Sequence, residues 1–161
     1  MQATRSHRFP IKSVLFLIVL AGLFSCKTYS EDDKTSFDQK IGKYIGRKGW
    51  KMNRSDSGLY SQQLAEGQAD AEAIQYNSEV TLKYKGKLLN GSTVDQSLPG
   101  KPLTSGLRGL IGGFQEGLLG QKKGAKVRLV IPPQLGYGND DYGKIPASSV
   151  LVFEIEVVDV R

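Results

Sequence analysis

Two distant stretches of the chain alternate apolar and polar side chains with a period of two. In the first stretch, Val80, Leu82 and Tyr84 alternate with threonine and lysine. In the second, residues 151–157 carry apolar side chains at the odd positions and glutamate at positions 154 and 156. A period of two belongs to strands, because successive side chains of a strand point to opposite faces. The chain is therefore predicted to form a sheet with one buried face and one wet face.

Weaker signals place further elements around these two strands. Residues 58–64 are predicted as a first strand, Asn90-Gly91 as a turn, and Val94-Asp95 as the opening of a short strand. A brief helix is also predicted. Its apolar side carries Ile111, Phe114 and Leu118, and Gly120 marks its C-terminal end. Another alternating strand covers 127–131. Together these elements predict one α+β domain of about 105 residues over 57–161, a normal size for a single core.

The N-terminal segment has the layout of a secretory signal. Arg5, Arg8 and Lys12 precede an uncharged apolar run over 13–24, and the small residue Ser25 follows that run. The run is shorter than the roughly 20 residues that a membrane-spanning helix needs. Residues 1–25 are therefore predicted to be a leader peptide.

Cys26 is the only cysteine of the chain, and residues 23–26 (LFSC) resemble a bacterial lipobox, in which the cysteine is lipidated. The alternative is an ordinary signal peptide and a stray cysteine, but that thiol would have no disulfide partner within the chain. Several acyl groups on Cys26 would anchor the protein stably in a membrane. Because Lys27, rather than an acid, comes next, we predict a lipid-anchored protein of the cell envelope, at the outer membrane of a Gram-negative bacterium.

Residues 26–56 are predicted to hold the lipidated cysteine, a flexible tether and a short helix. The polar and charged stretch 27–35 favours the tether. Ser36 is predicted to cap a helix over 36–47, which we expect to pack on the main domain. The apolar stripe of this helix has helical spacing: Phe37, Ile41, Tyr44 and Ile45.

Composition excludes most catalytic chemistries. The only histidine, His7, lies in the predicted leader. The rest of the chain therefore cannot use histidine-dependent nucleophilic catalysis, and it does not contain the usual zinc or copper ligand sets. No Walker-type or G-x-G-x-x-G phosphate loop occurs among the 19 glycines. Half of the +6 net charge belongs to the leader, and the remainder shows no basic stripe. We therefore expect no metal, no cofactor and no nucleic-acid partner.

Five segments in order resemble FKBP-type peptidyl-prolyl isomerases. Their sequences are VTLKYKG (80–86), NGSTVDQS (90–97), LIGGFQEGL (110–118), IPPQLGYG (131–138) and IPASSVLVFEIEV (145–157). Each segment alone is a weak signal, but the ordered set is specific. The resemblance implies an antiparallel sheet curved around one short helix, with an apolar pocket between them.

The resemblance also implies roles for single residues. The implied catalytic residues are Tyr84 in the pocket wall, Asp95 near the mouth, Ile111 through its N–H, and Tyr137 as a hydroxyl donor. The implied substrate-binding residues are Val94, Leu110, Phe114 at the floor, Ile145 over the rim, and Phe153 in the far wall. Three positions depart from the family, which commonly has phenylalanine at Val94, tryptophan at Phe114 and phenylalanine at Ser105. These departures bear on the catalytic rate and on binding of macrolide inhibitors, the other ligands that the resemblance implies.

Rotation about an X-Pro bond needs no nucleophile, metal or strong base, only a site that binds the twisted amide better than the planar forms. Composition and motifs therefore agree on a peptidyl-prolyl cis-trans isomerase that acts on proline-containing exported polypeptides. Two alternatives stay open. One is a non-catalytic proline-peptide-binding or chaperone lipoprotein, and the other is a structural envelope lipoprotein that uses helix 36–47 as its contact.

Overall fold

The computed structural model describes residues 29–161, so the predicted leader and Cys26 lie outside the described residues. Helix α1 spans Glu31–Lys48 and helix α2 spans Gly112–Leu118. The strands are β1 (Asn53–Arg54), β2 (Tyr60–Ala65), β3 (Glu79–Leu88), β4 (Thr93–Gln96), β5 (Leu103–Gly106), β6 (Lys126–Ile131) and β7 (Leu151–Val160). No helix within 29–161 combines the length and the apolarity needed to cross a membrane.

The strands of this part of the chain form one antiparallel sheet in the order β1-β2-β6-β7-β3-β4, and β5 also pairs with β3. The two stretches that alternate in the sequence are neighbours, since β3 pairs with β7 from Val80↔Val160 to Leu88↔Leu151. On the other edge of β3, β5 pairs with its first half and β4 with its second half. The predicted α+β architecture, an antiparallel sheet around one short helix, is confirmed.

Helix α2 lies against β6 more closely than most side chains would allow. A Cβ atom on Gly113 would lie 2.6 Å from Cγ2 of Ile131, and one on Gly117 would lie 2.6 Å from Cδ1 of Leu129. The two glycines therefore let the helix settle onto the sheet. In this position α2 buries Phe114 and Leu118 in the main core, together with the apolar sides of β3, β6 and β7.

Helix α1 covers the opposite face of the sheet. Its predicted stripe is buried, and it packs on a second apolar cluster made by three valines: Val130, Val150 and Val152. Because Val130 and Val152 are buried under α1, β6 and β7 have an apolar side chain on both faces there. The predicted packing of this helix on the main domain is confirmed.

The predicted start of α1 was wrong. The helix begins at Glu31 and not after Ser36, because Ser30 and Asp33 form a capping box: the Ser30 hydroxyl accepts from the Asp33 N–H at 3.1 Å, and the Asp33 carboxylate accepts from the Ser30 N–H at 3.1 Å. The acids at 31–33, which suggested a tether, are favourable at a helix N-terminus.

The first strand also starts later than predicted, at Tyr60, and the short strand β1 precedes it.

Replacing Gly42 with alanine is expected to stabilise the protein by about 0.8–1 kcal/mol, because glycine is a poor residue for a helix interior. A Cβ atom there would meet nothing within 4 Å. Urea unfolding would measure the gain. The matched control is Gly49→Ala at the end of the same helix, where φ is 65°. Alanine is strained in that conformation, so this variant should lose stability. A loss in Gly42→Ala would contradict the prediction.

Candidate active site

A cavity of about 200 Å³ opens where α2 faces β3 and β7. Its lining contains every predicted pocket residue except Val94 and Ile145. The lining residues are Tyr84, Asp95, Leu103, Gly109, Leu110, Ile111, Phe114, Tyr137, Tyr142 and Phe153. The structure therefore brings seven of the nine predicted site residues together around one cavity.

Three aromatic rings form the floor and walls of the cavity. Phe114 and Phe153 pack edge to face, with ring centroids 4.8 Å apart and an interplanar angle of 90°. Tyr84 stands against both, at 6.1 Å from Phe114 and 6.0 Å from Phe153. Phe114 and Phe153 are buried, whereas Tyr84 is only partly buried. Because each ring comes from a different element, the shape of the apolar wall depends on how α2, β3 and β7 pack.

Tyr84 is fixed by a hydrogen bond across the β3–β4 pair, in which its phenol donates to Oδ2 of Asp95 at 2.8 Å. Burial, and then the hydrogen bond and charge of Asp95, raise the pKa of the Tyr84 phenol well above its usual value. The family resemblance implied that Asp95 lies near the mouth of the pocket. Asp95 does line the cavity, but it is exposed. Its evident contribution in this structure is to hold the phenol of Tyr84.

Tyr137 follows a 3₁₀ turn over Pro133–Leu135 and stacks on Tyr142, with ring centroids 4.5 Å apart and planes within 16°. Burial, followed by the charge of Asp95, raises the pKa of the Tyr137 phenol. Within residues 29–161, this phenol makes no hydrogen bond to another protein group. Its O–H therefore remains a donor that a ligand in the cavity can use.

Ile111 caps helix α2 in an extended conformation, with φ −60° and ψ 153°. Its carbonyl accepts from the N–H groups of Phe114 and Gln115, while its own N–H has no protein acceptor in the described part of the chain. The Gln115 side chain donates to the Leu110 carbonyl at 2.7 Å, which holds this strip in place. A second donor is thus presented at the cavity, beside the phenol of Tyr137.

Two predicted substrate-binding residues do not reach the cavity. Val94 is partly buried and packs on the main core, because alternation along β4 places it on the face opposite Asp95. Ile145 is buried in the core, where its N–H and carbonyl bond with Tyr142. Tyr142, which is 62 % exposed, occupies the rim instead. An aromatic side chain in the polar run 139–144 was the signal that sequence reasoning missed.

The other residues that sequence reasoning missed are Leu103 and Gly109. Leu103 stands on β5 and pairs with Leu82, so the strand after Pro102 reaches the cavity through this leucine and not through Ser105. Gly109 belongs to the 3₁₀ turn before Ile111. No group of three His, Cys, Asp or Glu side chains in the described residues is placed to hold a metal ion.

The model of the family described as FKBP-type peptidyl-prolyl cis-trans isomerase matches residues 70–158, more than half of the chain. The chain belongs to this family. The chain is similar to relatives named FKBP-type peptidyl-prolyl cis-trans isomerase FkpA. The one from Buchnera aphidicola subsp. Schizaphis graminum is 44 % identical over 68 % of this chain, and the one from Escherichia coli strain K12 is 42 % identical over 74 %. These matches cover 44 % and 43 % of the two relatives, so the chain spans less than half of their length.

Solved structures of FKBP-type proteins agree with this assignment. The crystal structure of FkpA from Escherichia coli superposes with a TM-score of 0.69 and 37 % identity, covering 81 % of this chain and 62 % of that one. A peptidyl-prolyl cis-trans isomerase from Pseudomonas syringae pv. tomato gives a TM-score of 0.66 and 28 % identity, covering 83 % and 98 %. The prediction that this is an FKBP-type chain is confirmed.

The three positions that depart from the family pattern affect the pocket to different degrees. Phe114 does form the floor, and its ring packs directly on Phe153. Val94 and Ser105 do not line the cavity. The smaller side chains at these positions therefore change the packing behind the cavity more than the surface that a ligand would contact. Tyr142 adds a ring at the rim. This FKBP-type pocket therefore keeps an aromatic wall, made partly from different positions.

Proposed function

We propose that the protein catalyses cis–trans isomerisation of X-Pro bonds in exported polypeptides. The observation that carries the proposal is an aromatic cavity with two available hydrogen-bond donors, the Tyr137 phenol and the Ile111 N–H. In an apolar site of this size, the ring of a proline fits while its flanking carbonyls reach the donors. We place Tyr84, Asp95, Ile111 and Tyr137 in the catalytic machinery.

The physical barrier is the resonance of the amide, which makes rotation about the bond cost about 18–20 kcal/mol. A site lowers this barrier only if it binds the twisted amide more tightly than the planar forms. The apolar wall of Leu110, Phe114 and Phe153 excludes the water that solvates the charge-separated planar amide. The donors at Tyr137 and Ile111 hold the flanking carbonyls while the bond turns. The hydrogen bond from Tyr84 to Asp95 keeps the wall rigid.

The test is an isomerisation assay on a proline-containing tetrapeptide, with the wild-type protein and Tyr137→Phe. Loss of one hydrogen bond to substrate, worth about 0.5–1.5 kcal/mol, should lower kcat/KM by about two- to ten-fold without unfolding the protein. The matched control is Tyr76→Phe, at an exposed tyrosine that does not line the cavity. A folded wild-type protein that gives no rate above buffer would remove the proposal.

The pH dependence of kcat/KM is expected to be flat between about pH 6 and pH 9. Both phenols have a pKa raised above the usual value of about 10. Each therefore keeps its proton, and its ability to donate, throughout that range. Their contribution to stability is complete below about pH 10 and is lost as the pH rises through the higher folded pKa. A bell-shaped profile centred near neutrality would show that another group carries the chemistry.

A second candidate function is proline-peptide binding without catalysis, favoured by Val94, Phe114 and Ser105, where the family commonly has larger aromatic side chains. NMR titration with a proline peptide would detect binding in either case. Binding without turnover would establish this alternative. A macrolide inhibitor should compete with the peptide, because the proposed site is shared.

We also propose that the protein works outside the cytoplasm, attached to a membrane through lipidated Cys26. The apolar run over 13–24 and the lipobox-like residues 23–26 support this location. Labelled fatty acid should be incorporated into the wild-type protein in a Gram-negative host. Cys26→Ser should abolish incorporation and release the protein from the membrane fraction. Equal labelling of both proteins would contradict lipidation at this residue.

A further inference from the structure

Four cations converge on one side of helix α1, away from the cavity. We name Lys40, Lys43, Arg47 and Lys48 the cationic face. All four are exposed, and no acidic side chain within 29–161 forms an ion pair with any of them. The sequence from 39 to 53 contains no acid at all. In the sequence, Lys40, Lys43 and Arg47 are separated by glycine and apolar residues, so no basic stripe is visible there, and the charges come together only on the helix.

The cationic face surrounds an apolar depression. An open hollow of about 510 Å³ is lined by Lys40, Lys43, Gly46, Arg47 and Leu89, almost wholly through carbon atoms. A smaller hollow of about 230 Å³ beside it shares Arg47 and Leu89 and adds Tyr44 and Lys48. The stems of the cations thus lie along apolar surface. The Nζ atoms of Lys40 and Lys48 also lie 5.6 Å from the ring centroids of Phe37 and Tyr44. This surface is complementary to an amphiphilic anion.

We propose that the cationic face binds the headgroups of an anionic lipid bilayer. The choice of a bilayer rests partly on the proposed membrane attachment, since α1 begins five residues after Cys26. Five extended residues span less than about 20 Å, so a lipidated Cys26 would keep the helix close to a membrane surface. The helix can then lie along the surface, with phosphates on its cations and apolar lipid groups in the hollow.

The acids of the first helical turn do not neutralise this face. Glu31 is paired with Lys34 at 2.6 Å, and Asp33 is engaged with Ser30 in the capping box. Asp32 is exposed, and within the described residues it forms no ion pair with any of the four cations. Asp38, the next acid, binds Arg54 at 2.6 Å. The field of the four cations is therefore available to a membrane surface, and it should weaken as salt is added.

The test compares partition of the full chain into vesicles of phosphatidylcholine alone and of equal parts phosphatidylcholine and phosphatidylglycerol. The leader carries three cations of its own and adds to the preference for anionic vesicles. Because all variants share the leader and any acyl group, comparing the ratio of the two partition coefficients between variants cancels their contribution. Each cation near an anionic surface contributes about five-fold. The triple variant Lys40→Gln, Lys43→Gln, Arg47→Gln should therefore lower the ratio by about 100-fold, and Arg47→Gln alone by about five-fold.

The control removes the same charge elsewhere, with Lys83→Gln, Lys85→Gln and Lys126→Gln on the sheet face that also carries Glu154 and Glu156. Its ratio should change little. An equal fall in both triple variants would show an effect of net charge alone and would overturn the proposal. So would a wild-type ratio near one, or binding of polyglutamate in place of anionic vesicles.

Cys26→Ser should keep the preference for anionic vesicles, because the cationic face acts without the acyl groups. Loss of the preference in this variant would overturn the proposal. Isomerase rates measured on the same samples separate the proposed membrane binding from the proposed enzymatic function. The cationic face lies outside the cavity, so the triple variant should isomerise peptides at the wild-type rate. If the protein bound anionic vesicles but had no isomerase activity, only the proposed enzymatic function would be refuted.

Discussion

Replacing Gly86 with alanine is expected to destabilise the protein and distort the cavity wall. Gly86 on β3 lies directly opposite Phe153 on β7. A Cβ atom at position 86 would lie 2.6 Å from Cζ of the Phe153 ring and closer still to Cε1. Because this ring is buried and packs on Phe114, it can move only into the core or into the cavity. Overpacking of this kind costs about 1–3 kcal/mol, and occasionally more.

Urea unfolding and the peptide assay would measure the two effects of Gly86→Ala. A ring displaced into a cavity of about 200 Å³ should also lower kcat/KM by at least about ten-fold. The matched control is Gly106→Ala, on β5 at the other end of β3, where a Cβ atom would meet nothing within 4 Å. That variant should unfold close to the wild-type midpoint. Equal stability of the two variants would mean that the Phe153 ring is not confined.

Most of the sheet could be predicted because its signal is local. In β3 and β7 the alternation of side chains reports directly which face is buried, and Val80, Leu82 and Phe153 lie in the core as that pattern requires. The order of the strands is not local information. Alternation alone does not say that β7 lies between β3 and β6, and the family resemblance implied only an antiparallel sheet curved around one short helix. The floor and walls of the pocket were predicted from the family motifs.

The errors arose where the residue types allow two arrangements and particular hydrogen bonds select one of them. The acids at 31–33 suit a solvated tether and a helix N-terminus equally, and the reciprocal bonds of Ser30 and Asp33 select the helix. Ile145 is apolar enough for either rim or core, and its paired bonds with Tyr142 turn it into the core. The same pairing sends Tyr142 outward to stack on Tyr137.

Truncating Phe114 to alanine is expected to remove both stability and isomerase activity. Phe114 is 4 % exposed, and its ring contacts the rings of Phe153 and Tyr84. Phenylalanine-to-alanine changes in a core cost about 3–5 kcal/mol, a large part of the 5–15 kcal/mol that holds a typical domain folded. The same change would enlarge the cavity at its floor and admit water beside the turning amide. We expect kcat/KM per folded molecule to fall by at least about ten-fold.

Leu118→Ala separates the role of Phe114 in the site from its role in the core. Leu118 lies one turn further along α2 and is fully buried, but it does not line the cavity. Its truncation should cost a comparable 2–5 kcal/mol in urea unfolding. If the cavity performs the reaction, Leu118→Ala should keep nearly the wild-type kcat/KM per folded molecule, whereas Phe114→Ala should not. Equal activity losses in the two variants would mean that activity follows the rigidity of the whole core. In that case, the aromatic floor would have no specific part in binding the twisted amide.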